Sequence, residues 1–391
     1  MRAAFLALLL AAAAPAAALP PEEAAAILAR AQALPVEKGV EAVDAYQPAE
    51  TVRGGGGWAL RTAAPTRAGF DPQALERAAA LAEARQSHAL LVARDGRIVL
   101  ERYWNGFSRD SRFSTASMMK AVMALAQGAA VADGRLSLDD PVGRHLAEWR
   151  EDPRGRITIA QLLAMESGLA FPPRPPGPPQ PDSPAMQLMF ASDIRKVALA
   201  VPQEVPPGTR FAYSNVDSQL AGEALASALP MRFADFLSAR IWKPIGAADA
   251  RLFLDREGGS PHYFCCLQAR PMDWLLVGEL IRNKGRAGGR QLVPVAHVEA
   301  MLAPSATNPN FGLQVWRGSP HAPVRRYSAT IAMTVPAAEP FAREDVFYID
   351  GAGGQRVYVI PSERLTIVRV GRSVMDWDDS ALPNLVLAAL R

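Results

Sequence analysis

Lysine is scarce in this 391-residue chain, occurring only at positions 38, 120, 196, 243 and 284, while arginine supplies nearly all the positive charge. Cysteine is scarcer still: Cys265 and Cys266 stand side by side in the apolar run from Tyr263 to Leu267. With no second pair there is no disulfide framework. Neighbouring Cα atoms lie about 3.8 Å apart, shorter than the usual disulfide span, so the expectation is two packed thiols rather than a bond or a redox switch. The five histidines, His88, His145, His262, His297 and His321, are scattered with no paired spacing. That excludes the common helical metal motifs, and neither a metal nor an organic cofactor is expected. A formal charge of +3 is too small to argue for nucleic acid or a membrane surface as partner.

What is present is the balance of a soluble globular protein, 49% apolar and 21% charged residues. The first residues, MRAAFLALLLAAAAPAAALP, combine Arg2, an apolar run from Phe5 to Ala14 and the small residues Ala16-Ala17-Ala18. This is the layout of a secretory signal, residues 1 to 19, and it predicts a periplasmic or secreted protein. The run is short for a membrane span, so no stable anchor is expected after cleavage. Residues 20 to 69, rich in Ala, Pro and Gly, read as an N-terminal arm.

A helix is expected from about 70 to 85, then a hairpin in HALLVARDGRIVLERYW around Arg94-Asp95-Gly96-Arg97. From about 130 to 300 the pattern is mainly helical. It is interrupted by FPPRPPGPPQPDSP, 171 to 184, whose eight prolines in fourteen residues suit a linker or a lid. After 310 the runs FGLQVW, RYSATIAM, VFYI, QRVYVI and RLTIVRVG read as strands, and a helix closes the chain. Strands at both ends with helices between predict an α+β fold: an antiparallel sheet flanked by helices, its first hairpin paired with C-terminal strands, with a helical lobe inserted.

Three elements could carry chemistry. In FSTASMMKAVMALA, Ser117 and Lys120 are one turn apart at a helix start among methionines. If Ser114 caps that helix, Ser117 offers both a hydroxyl and an unpaired N–H. Burial and the helix dipole both push the lysine toward a neutral base. The alternative is a capped helix with a snorkelling lysine. In VPPGTRFAYSNVDSQLAGEAL, Tyr213 could relay a proton, and Asn215 could hold a substrate carbonyl or the lysine. The alternative there is an ordinary N-cap and a packed aromatic, and Tyr103-Trp104-Asn105 repeats the same pattern earlier in the chain. The run Asp350-Gly351-Ala352-Gly353-Gly354-Gln355 lets a ligand approach backbone closely, or is simply a glycine-rich turn.

Taken in this order, the three elements resemble the serine β-lactamase and penicillin-binding protein superfamily. GRLSLDDPVGRHLAEW, ITIAQLLAMESGL and PPGTRFAYSN resemble the connecting text of its class C-like branch, which includes esterases and 6-aminohexanoate-dimer hydrolases. The resemblance covers roughly residues 70 to 391. It implies Ser117 as acylated nucleophile, Lys120 as its base, Tyr213 rather than Tyr103 as second proton-transfer residue, and Asn215 as a substrate contact. Segment 351 to 355 is similar to the strand edge of the dimer-hydrolase-like members. The resemblance there makes the N–H of Ala352 the second oxyanion donor and Gly351 and Gly353 substrate contacts. Where relatives carry Lys or His on this edge, Gly351-Ala352-Gly353 has no charge, and strand alternation turns the nearby Arg356 elsewhere. A common Thr-Ala-Arg-Asp stretch stands here as Arg270-Pro271-Met272-Asp273, leaving Gln268 as the nearby polar substrate-contact candidate. The resemblance therefore implies an exported serine hydrolase of a small-molecule amide or ester. The rivals are a D-alanyl carboxypeptidase, a β-lactamase, or a catalytically silent protein of the same fold that binds cell-wall or acyl ligands.

Overall fold

The computed structural model describes residues 19–56, 60–170, 180–328 and 333–391. The expected leader and the proline-rich residues 171–179 lie outside these, as does the middle of RYSATIAM.

The alternating strands assemble into a seven-stranded sheet. Its order is Trp316–Arg317, Phe347–Gly351, Gln355–Ile360, Leu365–Gly371, Ser87–Arg94, Arg97–Tyr103 and Arg61–Thr62. All pairings are antiparallel except the last, where the arm adds a short parallel edge. The first hairpin meets the C-terminal strands through Leu91 opposite Val368. Its turn uses Asp95 and Gly96 at φ 56° and 68°, the conformation a two-residue hairpin loop requires.

Alternation sorts the side chains to two faces. Leu90, Val92, Tyr358, Ile360 and Ile367 pack with the Pro72–Ala84 and Ala381–Ala388 helices. Leu91, Val357, Val359, Val368 and Val370 face the larger core, against the Pro271–Arg282 helix. That helix returns to the sheet from within the expected lobe. A Cβ on its Gly278 would lie 2.5 Å from Thr366 Cγ2, so the missing side chain permits close helix–sheet contact. The Met119–Ala132 helix is buried on nearly every side, as its all-round apolar sequence dictates. The arm adds Ala49–Val52 to a smaller sheet with Ala250–Phe253, Gln268–Ala269 and Phe113–Ser114.

Three expectations need correction. FGLQVW is mostly a turn: Gln314 has φ 63°, and its side chain is drawn into the core by Ser218 and the Leu163 carbonyl. Within and beside RYSATIAM, Val324–Arg326 pairs with Thr334–Pro336 as a separate ribbon. Cys265 and Cys266 are not free thiols but are joined by a disulfide. Their Cα atoms, 3.7 Å apart, do not prevent the bond, because Cys266 takes up a left-handed backbone (φ 71°).

Candidate active site

Ser114 does not cap the helix, because it lies in the short strand opposite Gln268 and its side chain caps nothing. Ala116 then takes a left-handed conformation, φ 49°, which interrupts any helix from Thr115 onward. Ser117 sits in the 3₁₀ turn Ala116–Met118, and the α-helix begins at Met119. The serine is lifted to a half-buried corner one step ahead of the helix.

Lys120, in the first turn of that helix, is 2% exposed. Its Nζ lies 2.9 Å from Ser117 Oγ, 2.8 Å from Asn215 Oδ1 and 2.8 Å from the Phe264 carbonyl. Burial pushes the ammonium pKa down to about 7, against the opposing pull of the Asp350 carboxylate. A neutral amine has two N–H donors and one lone pair. Asn215 Oδ1 and the Phe264 carbonyl can only accept, so they take both donors and leave the lone pair facing Ser117 Oγ–H. The surroundings thus orient the lysine as well as favour its neutral form.

Tyr213 arrives from the Pro206-Pro207-Gly208 turn, where Gly208 takes φ 79° and donates its N–H to the Glu166 carbonyl. Ser214 caps the Asn215–Ala228 helix by accepting from the Asp217 N–H. Tyr213 stacks on Trp316 and meets Tyr327 edge-on, and its ring lies 4.8 Å from Lys120 Nζ. Burial first, and the Asp350 carboxylate second, raise its pKa well above the usual phenol value. The hydroxyl therefore keeps its proton at neutral pH and is a donor.

The glycine edge closes the site from the opposite side. A Cβ on Gly351 would fall 2.5 Å from the Thr115 carbonyl oxygen and 3.1 Å from Met118 Cγ, so the end of this strand abuts the turn that carries Ser117. Ala352 is exposed at the hairpin tip. Beneath it Asp350 is buried against Arg325 and Arg356, both of which also reach Asp379. Burial opposes the charge on Asp350, but the two guanidinium groups and the Tyr327 hydroxyl hold its carboxyl below the ordinary range. Two arginines and two aspartates make the cluster neutral.

The comparisons with known proteins fit this arrangement. The model of the family described as "Beta-lactamase" matches residues 73–387. The chain belongs to the beta-lactamase family. It has the α+β fold of that family. Over 215 residues it is 24% identical to a "Putative D-alanyl-D-alanine carboxypeptidase" of Salmonella agona, covering 48% of this chain and 49% of that protein. It thus spans about half the length of that curated relative. Among solved structures, the "Putative 6-aminohexanoate-dimer hydrolase from Bacillus anthracis" superposes with a TM-score of 0.71 at 19% identity, over 92% of this chain and 93% of that one. A penicillin-binding protein homolog from Caulobacter crescentus gives 0.62 at 18% identity, over 82% and 99%.

Within this beta-lactamase fold, the structure brings Ser117, Lys120, Tyr213 and Asn215 together and sets Gly351 against their turn. Asn215 contacts the lysine, the second of the two roles its position suggested. Two other candidates fall elsewhere. Gln268 is buried and reaches toward the Tyr46 carbonyl, because pairing with Ser114 turns it into the smaller sheet. Gly353 faces Ser373, and its carbonyl accepts from Val374 N–H. Tyr103 donates to Glu101 on its own strand, away from the serine. Sequence reading missed the carboxylate of Asp350 and its two arginines, which no spacing rule connects. The one available signal was charged Arg356 inside the apolar strand QRVYVI.

Proposed function

We propose that the chain hydrolyses a small-molecule amide or ester through an acyl-enzyme on Ser117, as a carboxylesterase or amidase. The observation that carries this reading is the trio of partners around Lys120, which leaves only the lone pair for the serine proton. Ser117 Oγ attacks the carbonyl carbon while Lys120 takes its proton. The N–H groups of Ser117 and Ala352 receive the oxyanion. Tyr213, still protonated, gives its proton to the leaving nitrogen or oxygen, and water then releases the acid. No step calls for a metal or cofactor.

Preference for an ester or amide over a β-lactam rests on charge. The tip Gly351-Ala352-Gly353 has no cation, and the nearby Arg325 and Arg356 are committed to Asp350 and Asp379. A substrate carboxylate would have to compete with two aspartates already in place. We read residues 1 to 19 as a leader, which supports an activity outside the cytoplasm.

The test exposes purified protein to a fluorophosphonate and to a fluorescent penicillin, with Ser117→Ala as control. Fluorophosphonate labelling that disappears in Ser117→Ala is the expected result. Absence of label with both reagents would leave a silent binding protein. Rapid turnover of the penicillin would favour a β-lactamase, and a slow-decaying penicillin adduct a D-alanyl carboxypeptidase.

A further inference from the structure

Residues 264–269 run antiparallel to 113–117 along the floor of the site. Phe113 pairs with Ala269 and Ser114 with Gln268, and the N–H of Cys266 then donates to the Ala116 carbonyl at 2.9 Å. Two residues earlier, the Phe264 carbonyl accepts from Lys120. The Cys265–Cys266 disulfide therefore sits between the two backbone contacts that hold the nucleophile turn and the lysine. Those contacts are unusual in another way. Cys266 and Ala116 are both left-handed, at φ 71° and 49°, and one hydrogen bond joins them. L-residues seldom occupy this region without a constraint. Bonding neighbouring cysteines closes a small ring through their shared peptide, and that ring supplies the constraint at Cys266.

We propose that the Cys265–Cys266 disulfide positions Lys120 and Ser117 for catalysis, and that a dithiol reductant slows the enzyme by opening it; this rests on the Ser117 and Lys120 roles given above. In the reductive step the S–S bond breaks and two S–H groups form, while the dithiol gives up two electrons and two protons and closes to its own disulfide. Free Cys266 then relaxes toward a right-handed backbone. Its N–H leaves the Ala116 carbonyl, and the Phe264 carbonyl turns away from Lys120. The lysine loses one of the two acceptors that aim its lone pair, and Ala116 loses the bond that holds its turn. Cys265 and Cys266 are positioning residues here. Neither needs to touch substrate.

The experiment measures the rate of fluorophosphonate labelling per folded molecule as a function of pH. The samples are oxidised wild type, wild type treated with dithiothreitol, Cys265→Ser/Cys266→Ser and Cys265→Ala/Cys266→Gly. Reduced wild type and the double serine variant should label about tenfold more slowly, the scale of forcing one L-residue into the left-handed region. Their acid limb should move to lower pH, because a lysine with fewer acceptors holds its proton less well. The glycine variant adopts positive φ freely and should recover most of the rate without any disulfide. A ring that only stabilises the fold would lower thermal stability in both variants and leave labelling rate and pH limb unmoved. Unchanged labelling in reduced wild type and the double serine variant overturns the proposal, as does equal loss in the serine and glycine variants. If oxidised wild type itself fails to label, the assignment of Ser117 falls first and this proposal with it.

Discussion

The buried lysine makes a quantitative demand on stability. An amine held at about 7 in the folded state against its ordinary 10.5 favours the folded protein less when it is charged. The sign follows from proton counting. Between about pH 7 and 10.5 the unfolded chain binds this proton and the folded chain does not, so stability rises with pH across that window. Below 7 both states are protonated and the full penalty applies, at most about 5 kcal/mol for the whole shift. The slope is about 1.4 kcal/mol per pH unit, or about 3 kcal/mol between pH 7 and 9. Lys120→Met removes the titrating group. It also removes the bonds to Asn215 and Phe264, a cost that is independent of pH. Urea unfolding of wild type and Lys120→Met at several pH values separates the two effects, because only the slope of their difference reports the lysine. Wild type should gain on the variant as pH rises, while its labelling by a fluorophosphonate rises with a midpoint near 7. A difference that stays level from pH 6 to 9 would mean that Lys120 is not depressed, and the case for it as base would fail.

Other perturbations test the remaining parts. Tyr213→Phe keeps the stack on Trp316 but removes the donor, so ester or amide turnover should drop by roughly 10²–10⁴ with little change in unfolding midpoint; steady-state kinetics beside thermal melts decides this. Asp350→Asn leaves the buried Arg325 and Arg356 with Asp379 as their one shared carboxylate, an uncompensated positive charge that should cost about 3–5 kcal/mol in urea unfolding. It also removes the carboxylate that holds Lys120 up, so any activity that survives should have its acid limb at lower pH. Gly351→Ala puts a Cβ where the Thr115 carbonyl stands, and should reduce the labelling rate far more than it reduces stability; equal labelling would separate this strand from the site.

Much of the fold was legible because alternation and apolar runs act locally. Ser87–Arg94, Gln355–Ile360 and Leu365–Gly371 fall where QRVYVI and its neighbours suggested. The reading failed where long-range contacts override local preference. Ala116 has no glycine to announce a left-handed turn, and it is tied to Cys266 from far along the chain. Gln268 looked like a polar residue near a motif, yet strand pairing with Ser114 turned it inward. For the site, Ser117, Lys120, Tyr213 and Asn215 could be named from motif order alone. The Phe264 carbonyl, which completes the lysine's surroundings, is a backbone atom that no side-chain pattern reports.

The hairpin tip carries a consequence for how this protein could change. Asp350 is fixed by two arginines, Gly351 by the Thr115 carbonyl, Gly353 by Ser373 and Gly354 by Trp377, while Gln355 exchanges hydrogen bonds with Gly371. In this run only Ala352 holds its side chain in the open. A mutation there can add charge, bulk or a hydrogen-bond donor at the mouth of the site without disturbing the packing that aligns serine and lysine. In the proposed mechanism the tip therefore separates recognition from reaction, and Ala352 is the position at which single substitutions would change specificity.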